Sequence, residues 1–573
     1  MKKLTALLLA LAMVLTLTAC GTENPPATNP TTAPTTAPTT EPTTEPTAEP
    51  TATPTEPAIQ LPQNPAGDDA TLVTTSVGQI RGKVSEGLNI YKGIPYAQAT
   101  RRFVPAEKIS WEGIFDATAY GPIAIQGGGW GAPTYMDGTT ATMDNNCQNL
   151  NIWAPAEGEN LPVMVWLHSG AFSTGASSTD ASTNGTNLAV NGNVVVVSLN
   201  HRLNSLGFFD LSAYGEEYKY SGNVGVLDMV MALEWIQENI AAFGGDPNNV
   251  TIFGESGGGA KVMALLTCPA AEGLFHKAVN ESGIMDSSGL TFTPKEVAQR
   301  VTELTLETLN ITVENIGDIQ NVDYNALTSA SDAAMAQAAQ EYNLTLLGNV
   351  GMQWLPTIDG EVLPDSLVDE DGYYEVRNDI PLLVGTNLNE LNGFSYMMQY
   401  FTMGDKSTWD EDTVNRLMNE TYGENAQAVA DAFASAYPNK IPADALYVDY
   451  MHRYPALKAM LHKAANTDAP VYAYVFTYEN GMSLAAHTAE VPFVFGNMTD
   501  SGEDIQRLQN QMHQAWINFA WTGDPSTDEL AWPAFTAEKR ACMIFDTESY
   551  VAYDHDTALL ALLDPGYTAE PTE

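Results

Sequence analysis

The sequence is poor in basic residues, in cysteine and in long apolar runs, and each shortage excludes a class of protein. Only 24 lysine and arginine residues stand against 70 aspartate and glutamate residues in the 573-residue chain, for a formal net charge of -46. A surface this acidic repels phosphate backbones, so no nucleic-acid partner is expected. Four cysteines exclude a disulfide-stapled scaffold and a cysteine-rich zinc protein. No apolar run reaches ~18 residues, so no transmembrane helix is expected in the mature fold.

The first twenty residues have the pattern of an export signal. Lys2 and Lys3 precede a mostly apolar stretch at 4–17, and the segment ends in Leu-Thr-Ala-Cys. A charged start and a short apolar run before small residues are typical of a secretory signal peptide. The ending resembles the bacterial lipobox, which predicts a signal peptide over 1–19 and a lipid on Cys20. We therefore expect an extracytoplasmic protein, attached to the outer face of a bacterial membrane only through Cys20, with secretion as the alternative.

Two further segments lack the composition of a folded domain. Thr, Pro, Glu and Ala repeat through 21–66 with almost no large apolar side chains, and Pro, Thr and Glu return after residue 564. Frequent proline favours extended conformations, and so polar a segment cannot offset its ordering entropy. We predict a disordered linker over 20–66, one globular domain over 67–564 and a disordered tail over 565–573.

Short apolar segments alternate with helical periodicity through the globular part. Helical spacing of apolar residues predicts a helix over 226–240. Buried strands separated by helices are typical of a parallel sheet covered on both faces. The sequence therefore predicts an α/β fold with a mostly parallel central sheet and helices on both faces. The predicted strands are 163–167, 194–199, 250–253, 381–384 and 471–476.

The strand at 250–253 runs directly into the sequence GESGG at 254–258, and a helix-like segment follows at 261–267. Gly-x-Ser-x-Gly between strand and helix is the pattern of a nucleophile elbow, in which Ser256 would lie on a strained turn that larger neighbours would crowd. A glycine-rich loop without chemistry has the same pattern, so both interpretations stay open at this point. A phosphate-binding loop is disfavoured because Lys261 is flanked by alanine and valine rather than by glycine and serine or threonine.

A second glycine-containing loop follows the strand at 163–167. Its sequence, His-Ser-Gly-Ala-Phe at 168–172, occupies the place of the loop whose backbone N–H groups stabilise a tetrahedral intermediate in serine hydrolases. The predicted donors of this oxyanion hole are Gly170, Ala171 and Gly257. A plain turn between strand and helix is the alternative.

A nucleophilic serine needs a histidine base, and the chain has eight histidines. In hydrolases with this elbow the order is serine, acid, histidine, which disfavours the histidines before or soon after Ser256. Three of the remaining five lie in helix-like stretches, where a solvated or capping histidine is usual: His452, His462 and His513. His487 follows the strand at 471–476 in a loop of small residues and is the preferred base. The acid stays open among 70 carboxylates, with Glu390 a candidate because it follows the strand at 381–384.

Longer stretches of the chain resemble one enzyme family. The segment 223–258 reads NVGVLDMVMALEWIQENIAAFGGDPNNVTIFGESGG and is similar to the signature stretch of the type-B carboxylesterases, which include bacterial para-nitrobenzyl esterases and the cholinesterases. The resemblance extends roughly over 70–550 and implies an α/β-hydrolase fold. Shorter matches occur in the same order at 92–97, 151–153, 198–203, 273–275, 356–360 and 518–525.

The resemblance also implies a Ser-Glu-His triad. The family's nucleophile falls on Ser256, its Gly-Thr-Asn-x-x-Glu motif matches 385–390 and implies Glu390, and its histidine motif matches 486–496 and implies His487. No metal or organic cofactor belongs to such a site, so none is expected.

Four other positions carry over from the family's pattern. Ser282 and Glu490 match positions that support the triad, and Arg202 and Asp246 match positions that form a structural ion pair in relatives. The chain departs from the pattern in having a serine at position 169, where glycine is usual, and a glycine rather than alanine directly after the nucleophile. With Cys20 assigned to the anchor, at most one disulfide is possible among the remaining cysteines, which are Cys147, Cys268 and Cys542.

These features predict a serine carboxylic-ester hydrolase that acts on small-molecule esters through an acyl-enzyme. A base with an ordinary histidine pKa would make activity fall below about pH 6–7. One alternative is a cell-surface binding protein that kept the fold and lost catalysis. Another is a peptidase or an esterase for plant-polymer acyl groups, in which Trp130, Phe172 and Trp354 would line the pocket, although core packing is the commoner role of aromatic residues.

Overall fold

The computed structural model describes residues 61, 64–127, 133–284, 292–346, 349–364, 379–479, 481–500 and 502–564. The predicted signal peptide, Cys20, most of the predicted linker and the predicted tail lie outside these residues. The last residues assigned to the linker contact the folded domain, because the Asn64 side chain donates to the backbone carbonyl of Asp116 at 2.8 Å.

An eleven-stranded sheet forms the centre of the fold. In space the strands follow the order β11-β10-β9-β8-β7-β6-β4-β5-β3-β2-β1. The strands from β5 to β10 in this order pair in parallel, and the strands at both edges pair antiparallel. In chain order the strands are β1 Lys83–Ser85, β2 Leu88–Pro95, β3 Asn149–Pro155, β4 Leu161–Leu167, β5 Val195–Leu199, β6 Gly245–Glu255, β7 Lys277–Glu281, β8 Leu382–Asn387, β9 Val471–Phe476, β10 Ala541–Phe545 and β11 Tyr550–Tyr553.

The central strands are buried along their whole length, as a sheet covered on both faces requires. Every residue of β4, β5, β8 and β9 is buried. Uninterrupted burial of this kind is typical of parallel strands covered on both faces, whereas exposed faces give an alternating pattern. The five predicted strands therefore correspond to β4, β5, β6, β8 and β9.

Helices cover the sheet and fill the long connections between its strands. The helix predicted over 226–240 is observed as α3 and ends in a 3₁₀ turn at Ile240–Phe243 before Gly244, whose φ is +84°. The helices of the described residues are α1 Thr186–Gly192, α2 Asn204–Phe208, α3 Val224–Asn239, α4 Gly257–Thr267, α5 Lys295–Leu309, α6 Tyr324–Glu341, α7 Asn392–Met403, α8 Glu411–Tyr422, α9 Ala426–Ala436, α10 Arg453–Asn466, α11 Val491–Phe495, α12 Glu503–Thr522 and α13 Thr557–Leu563. None of them is long and apolar enough to cross a bilayer.

Smaller pairings of strands lie outside the main sheet. They are the three-stranded set Val73–Thr74, Gln79–Arg81 and Ile114–Asp116, the pair Thr293–Pro294 and Thr357–Ile358, and the pair Thr345–Leu346 and Asn349–Val350. The last two pairs belong to the connection between β7 and β8, which contributes residues to the cavity described below. The cysteines Cys147, Cys268 and Cys542 are buried free thiols.

One implied ion pair is wrong. Arg202 pairs with Asp228 in α3, with 2.7 Å between Nη2 and Oδ1, and both side chains are buried. Asp246 lies at the start of β6 and instead accepts a hydrogen bond from the backbone N–H of Asn248 at 2.9 Å. Arg202 also donates to Asp228 Oδ2 from its backbone N–H at 3.0 Å and from Nε at 2.8 Å, so its carboxylate partner comes from α3 rather than from the β6 turn.

Candidate active site

Ser256 occupies a sharp turn between β6 and α4. Its backbone has φ of +57° and ψ of -123°, a conformation that costs a non-glycine residue free energy and that the surrounding structure must enforce. A Cβ on Gly254 would lie 2.5 Å from the backbone carbon of Gly258, and a Cβ on Gly258 would overlap the carbonyl oxygen of Leu167. The small residues on either side of Ser256 are therefore required by the turn itself.

The structure brings the two other predicted triad residues to this serine. His487 Nε2 lies 2.7 Å from Ser256 Oγ, and His487 Nδ1 lies 2.5 Å from Glu390 Oε2. Glu390 follows β8 and His487 follows β9, so all three residues lie beyond the carboxyl ends of parallel strands of the same sheet. Such edges are where open α/β sheets collect their functional residues.

Glu390 is held by further hydrogen bonds. Its Oε1 accepts from Ser282 Oγ at 2.6 Å and from the backbone N–H of Asn387 at 2.7 Å. The side-chain amide of Asn387 donates to Glu490 at 2.5 Å, which links Glu490 to the same network. Ser282 and Glu490 thus lie where the sequence predicted supporting residues, and both are buried.

The predicted oxyanion loop lies against the start of α4. Ala171 and Gly257 line the same cavity as Ser256 and His487, whereas Gly170 is not among its lining residues. The N–H groups of Gly170, Ala171 and Gly257 donate to no acceptor among the described residues, so they are available to a ligand. Ser169, the residue that departs from the family's pattern, donates to Glu255 Oε2 at 2.6 Å and thereby ties the loop to β6.

A cavity of about 220 Å³ opens over the serine. Its walls are mostly apolar and come from the oxyanion loop and from the connection between β7 and β8: Phe172, Phe292, Leu344, Leu346, Met352 and Leu355. Of the predicted aromatic pocket residues, Phe172 lines the cavity, and Trp354 instead packs edge-on against Phe209 with 6.2 Å between ring centroids. Trp130 lies outside the described residues.

Most of the chain matches a protein-family model. Residues 69–559 match the Carboxylesterase family model.

The chain belongs to the carboxylesterase family.

Relatives of this chain include esterases and related hydrolases. The chain is 35% identical over 504 residues to para-nitrobenzyl esterase of Bacillus subtilis (strain 168), an alignment that covers 85% of this chain and 97% of that protein. It is 29% identical over 504 residues to phenmedipham hydrolase of Pseudarthrobacter oxydans, covering 83% and 94% of the two chains. An esterase from anaerobic Clostridium hathewayi that can hydrolyse aliphatic aromatic polyesters has a similar structure, with a TM-score of 0.75, 34% identity and coverage of 87% and 98%.

The expected type-B carboxylesterase membership and α/β-hydrolase fold are confirmed, and the protein is a carboxylic-ester hydrolase.

Three buried carboxyl groups in the site raise the pKa of His487. Burial alone would lower the pKa of His487, but the charges of Glu255 and Glu390, with a smaller contribution from Glu490, raise it to about 10. The surrounding carboxylates stabilise the imidazolium form, so the site favours a pKa for His487 above that of the ordinary histidine expected from the sequence.

The carboxyl groups differ among themselves. Burial acts to raise the pKa of Glu390, but His452, His487 and the hydrogen bonds it accepts bring its pKa below the usual value, so it is ionised. Burial and the charges of Glu255 and Glu390 raise the pKa of Glu490 well above its usual range. Burial also raises the pKa of Glu255.

Sequence reasoning missed His452, which this carboxylesterase places beside the triad. His452 precedes α10, is buried, lines the cavity and lies 5.3 Å from His487 between ring centroids. Its Nδ1 is 3.3 Å from Asp449, and although burial opposes it, the charges of Asp449 and Glu390 raise the pKa of His452. Only the fold brings this helix end to the site, so the local pattern around position 452 gave no signal.

His452 also belongs to a group of three side chains of the types that commonly bind metal ions. Glu390, His452 and His487 place one ligand atom each within 4.8 Å of one another, and among the described residues no other set of three histidine, cysteine or acidic side chains is so close. The hydrogen bonds of His487 to Glu390 and Ser256 already account for the closeness of two members.

Proposed function

We propose that this carboxylesterase hydrolyses small-molecule esters through an acyl-enzyme formed on Ser256. The observation that supports it is the unbroken chain of hydrogen bonds from Glu390 through His487 to Ser256 Oγ at the floor of an apolar cavity. A nucleophile, a base in contact with it and a carboxylate that orients the base are the parts this mechanism needs.

In the proposed reaction His487 acts first as base and then as acid. Ser256 Oγ attacks the ester carbonyl while His487 Nε2 takes its proton, and a tetrahedral intermediate forms. The imidazolium returns that proton to the leaving alcohol as the ester bond breaks. Water then attacks the acyl-enzyme in the same way, with its proton passing through His487, and releases the carboxylic acid and free Ser256. Glu390 keeps the imidazole oriented and stabilises its cation.

The tetrahedral intermediate needs donors for its negative oxygen. We assign this role to the N–H groups of Gly170, Ala171 and Gly257, which lack acceptors among the described residues. One such donor is typically worth about 3–4 kcal/mol of transition-state stabilisation. The positive end of α4, which begins at Gly257, adds to the favourable field.

The cavity supports esters with an apolar acyl or alcohol group. Apolar walls bury such groups favourably at roughly 25 cal/mol per Å². The relatives named above include a para-nitrobenzyl esterase, a phenmedipham hydrolase and an esterase that can hydrolyse aliphatic aromatic polyesters. We therefore include aryl esters in the proposed substrate class. The filled triad positions give the non-catalytic alternative no support.

Ser256→Ala provides the test. The purified variant should lose turnover of a para-nitrophenyl acyl ester, and the parent protein should be labelled at Ser256 by a fluorophosphonate. Ser407→Ala, which changes an exposed serine that does not line the cavity, is the matched control and should retain labelling. Turnover in Ser256→Ala at the parent rate would reject the proposal.

We further propose that the protein is extracytoplasmic and held on the outer face of a bacterial membrane by a lipid on Cys20. The support is the sequence of 1–20 alone, and these residues lie outside the described structure. Cys20→Ser should release the protein from the membrane fraction, and mass spectrometry of the parent N-terminus should find a diacylglyceryl cysteine. An unmodified N-terminus in a soluble parent protein would instead favour secretion.

A further inference from the structure

Lys261 is a buried lysine that the proposed mechanism does not use. It lies in α4, five residues after Ser256, and its side chain is fully buried. Burial lowers the pKa of Lys261 to about 7, so keeping an amine here costs free energy. No carboxylate of the described residues lies within ion-pair distance of it. Such a residue is retained at that cost only if its hydrogen bonds serve the structure or the reaction.

The hydrogen bonds of Lys261 go to the oxyanion loop. Its Nζ donates to the carbonyl oxygen of His168 at 2.7 Å and to that of Ala171 at 2.8 Å. The two carbonyls bracket the residues that carry the proposed oxyanion donors. Lys261 Nζ also lies 5.6 Å from the centroid of the ring of Phe172, the last residue of the loop.

The bracketed segment has a backbone that needs to be held. Gly170 has φ of +95° and Ala171 has φ of +52°. A left-handed conformation costs a residue with a Cβ about 1–2 kcal/mol, so Ala171 would not adopt it without external contacts. Ser169 supplies one contact by donating to Glu255, and Lys261 supplies contacts at both ends of the segment.

We propose that Lys261 is a positioning residue for the oxyanion hole, which it holds by clamping the carbonyls of His168 and Ala171. Its hydrogen bonds connect α4, which carries the proposed oxyanion donor Gly257, to the loop that carries the other two donors. The relative placement of the three donors therefore depends in part on this side chain. This inference rests on the proposed function, because it assigns Lys261 to that reaction's tetrahedral intermediate.

The clamp predicts a specific kinetic result for Lys261→Met. Methionine is unbranched, one heavy atom shorter than lysine and suited to a buried position, but it donates no hydrogen bond. Displaced donors weaken binding of the oxyanion more than binding of the ester, so kcat should fall by about 10- to 100-fold while KM changes little. Rates are expressed per active site titrated with a fluorophosphonate, which removes any contribution from unfolded protein.

Inhibitors separate positioning from general destabilisation. An alkyl trifluoromethyl ketone forms a hemiketal oxyanion on Ser256, whereas the corresponding methyl ketone binds mainly in its ground-state form. Lys261→Met should weaken the trifluoromethyl ketone by the same factor as kcat and leave the methyl ketone unchanged. Lys261→Gln, which keeps one side-chain donor group, should fall between the parent and Lys261→Met in both measurements.

Thr267→Val is the matched control in the same helix. Thr267 is buried and donates only to carbonyls of α4, at 3.1 Å to Met263 and to Ala264. Removing this hydroxyl should lower the stability of the protein without changing kcat per titrated site or the affinity for either ketone.

Two results would overturn the inference. The first is a folded Lys261→Met or Lys261→Gln variant with parental kcat and parental affinity for the trifluoromethyl ketone. If neither variant folds, a crystal structure of the parent with that ketone decides: Lys261 Nζ should contact both carbonyls, and a lysine directed elsewhere would overturn the inference. Retained turnover in Ser256→Ala would reject the proposed function itself, so the two failures are distinguishable.

Discussion

At the scale of single residues, the acidic side chains around the histidine base raise its pKa. Glu255 Oε1 lies 3.4 Å from His487 Nε2, and its charge is the first of those that raise the pKa of His487. The base works only when neutral, so activity is present above this raised pKa and is lost as pH falls through it. The acid limb of kcat/KM should therefore lie above the pH expected for an ordinary histidine.

Glu255→Gln tests this electrostatic account. Removing the carboxylate destabilises the imidazolium, so the acid limb of kcat/KM should move to lower pH, by about one unit or more for a charge this close. Glutamine still offers Ser169 a carbonyl oxygen, which limits the change to charge. The exposed Glu272→Gln is the control and should leave the limb in place. An unshifted limb in Glu255→Gln would show that the Glu255 charge does not govern His487.

The corrected ion pair gives a stability prediction. Asp228→Asn leaves the buried Arg202 guanidinium without a compensating charge, and breaking a buried pair in this way costs about 3–5 kcal/mol. Asp246→Asn is the control, since Asp246 pairs with no arginine of the described residues, and it should change stability by less than about 0.5 kcal/mol. Urea unfolding measures both. Equal losses in the two variants would contradict the assignment of Asp228 as the partner.

The residues differ in how far the sequence could identify them. Ser256 was open to prediction because strand, glycines and serine are contiguous, and His487 because few histidines follow in the right order. Glu390 is one of 70 carboxylates and could be selected only by resemblance to a family. His452 and Lys261 were missed because their contacts join segments far apart in the chain, and no local pattern encodes such contacts.

At the scale of elements, prediction succeeded where burial is uniform and failed where tertiary contacts override local preference. The apolar runs of the central strands were recognisable, whereas the edge strands have mixed polarity. Helix α4 begins at Gly257, four residues before the helix-like segment predicted from the sequence. The three glycines at the start of α4 each disfavour a helix by roughly 0.5–1 kcal/mol relative to alanine. The fold still requires glycine at position 258, because a Cβ there would overlap the carbonyl oxygen of Leu167.

The same close packing predicts the effect of Gly257→Ala. A Cβ at position 257 would overlap the backbone nitrogen and Cα of Ala171, so the oxyanion loop must move away. We expect kcat to fall by at least about tenfold, since misplacing one oxyanion donor costs up to 10²–10³. Turnover per titrated active site measures it.

A second substitution tests the cause. Adding Ala171→Gly to Gly257→Ala should recover part of kcat, because glycine tolerates the positive φ of the loop and gives it room. Gly317→Ala, where a Cβ would meet nothing within 4 Å, is the neutral control. A double variant no faster than Gly257→Ala would argue that the collision with the loop is not the cause.

At the scale of the whole molecule, the boundary between linker and domain has a structural test. The backbone N–H of Gly67 donates to Asp116 at 2.8 Å, and Asp69 pairs with Arg81 at 2.7 Å. A signal-free chain that starts at residue 61 keeps these contacts and should match the parent in kcat/KM and melting temperature. A chain that starts at residue 70 loses them and should melt at a lower temperature. Equal melting temperatures would place the boundary further along the chain.

The net charge of the molecule makes a prediction about substrates. At -46 the protein repels anions over distances of a Debye length, about 10 Å at 0.1 M salt and about 3 Å at 1 M. For an anionic ester such as para-nitrophenyl hemisuccinate, kcat/KM should therefore rise as sodium chloride is added. For the neutral para-nitrophenyl butyrate it should stay nearly constant, which controls for salt effects on the site, provided both are measured above the acid limb. If kcat/KM depends on salt in the same way for both esters, the prediction is wrong. The surface charge would then have no effect on ester binding in the cavity, and the apolar lining alone would select the substrate.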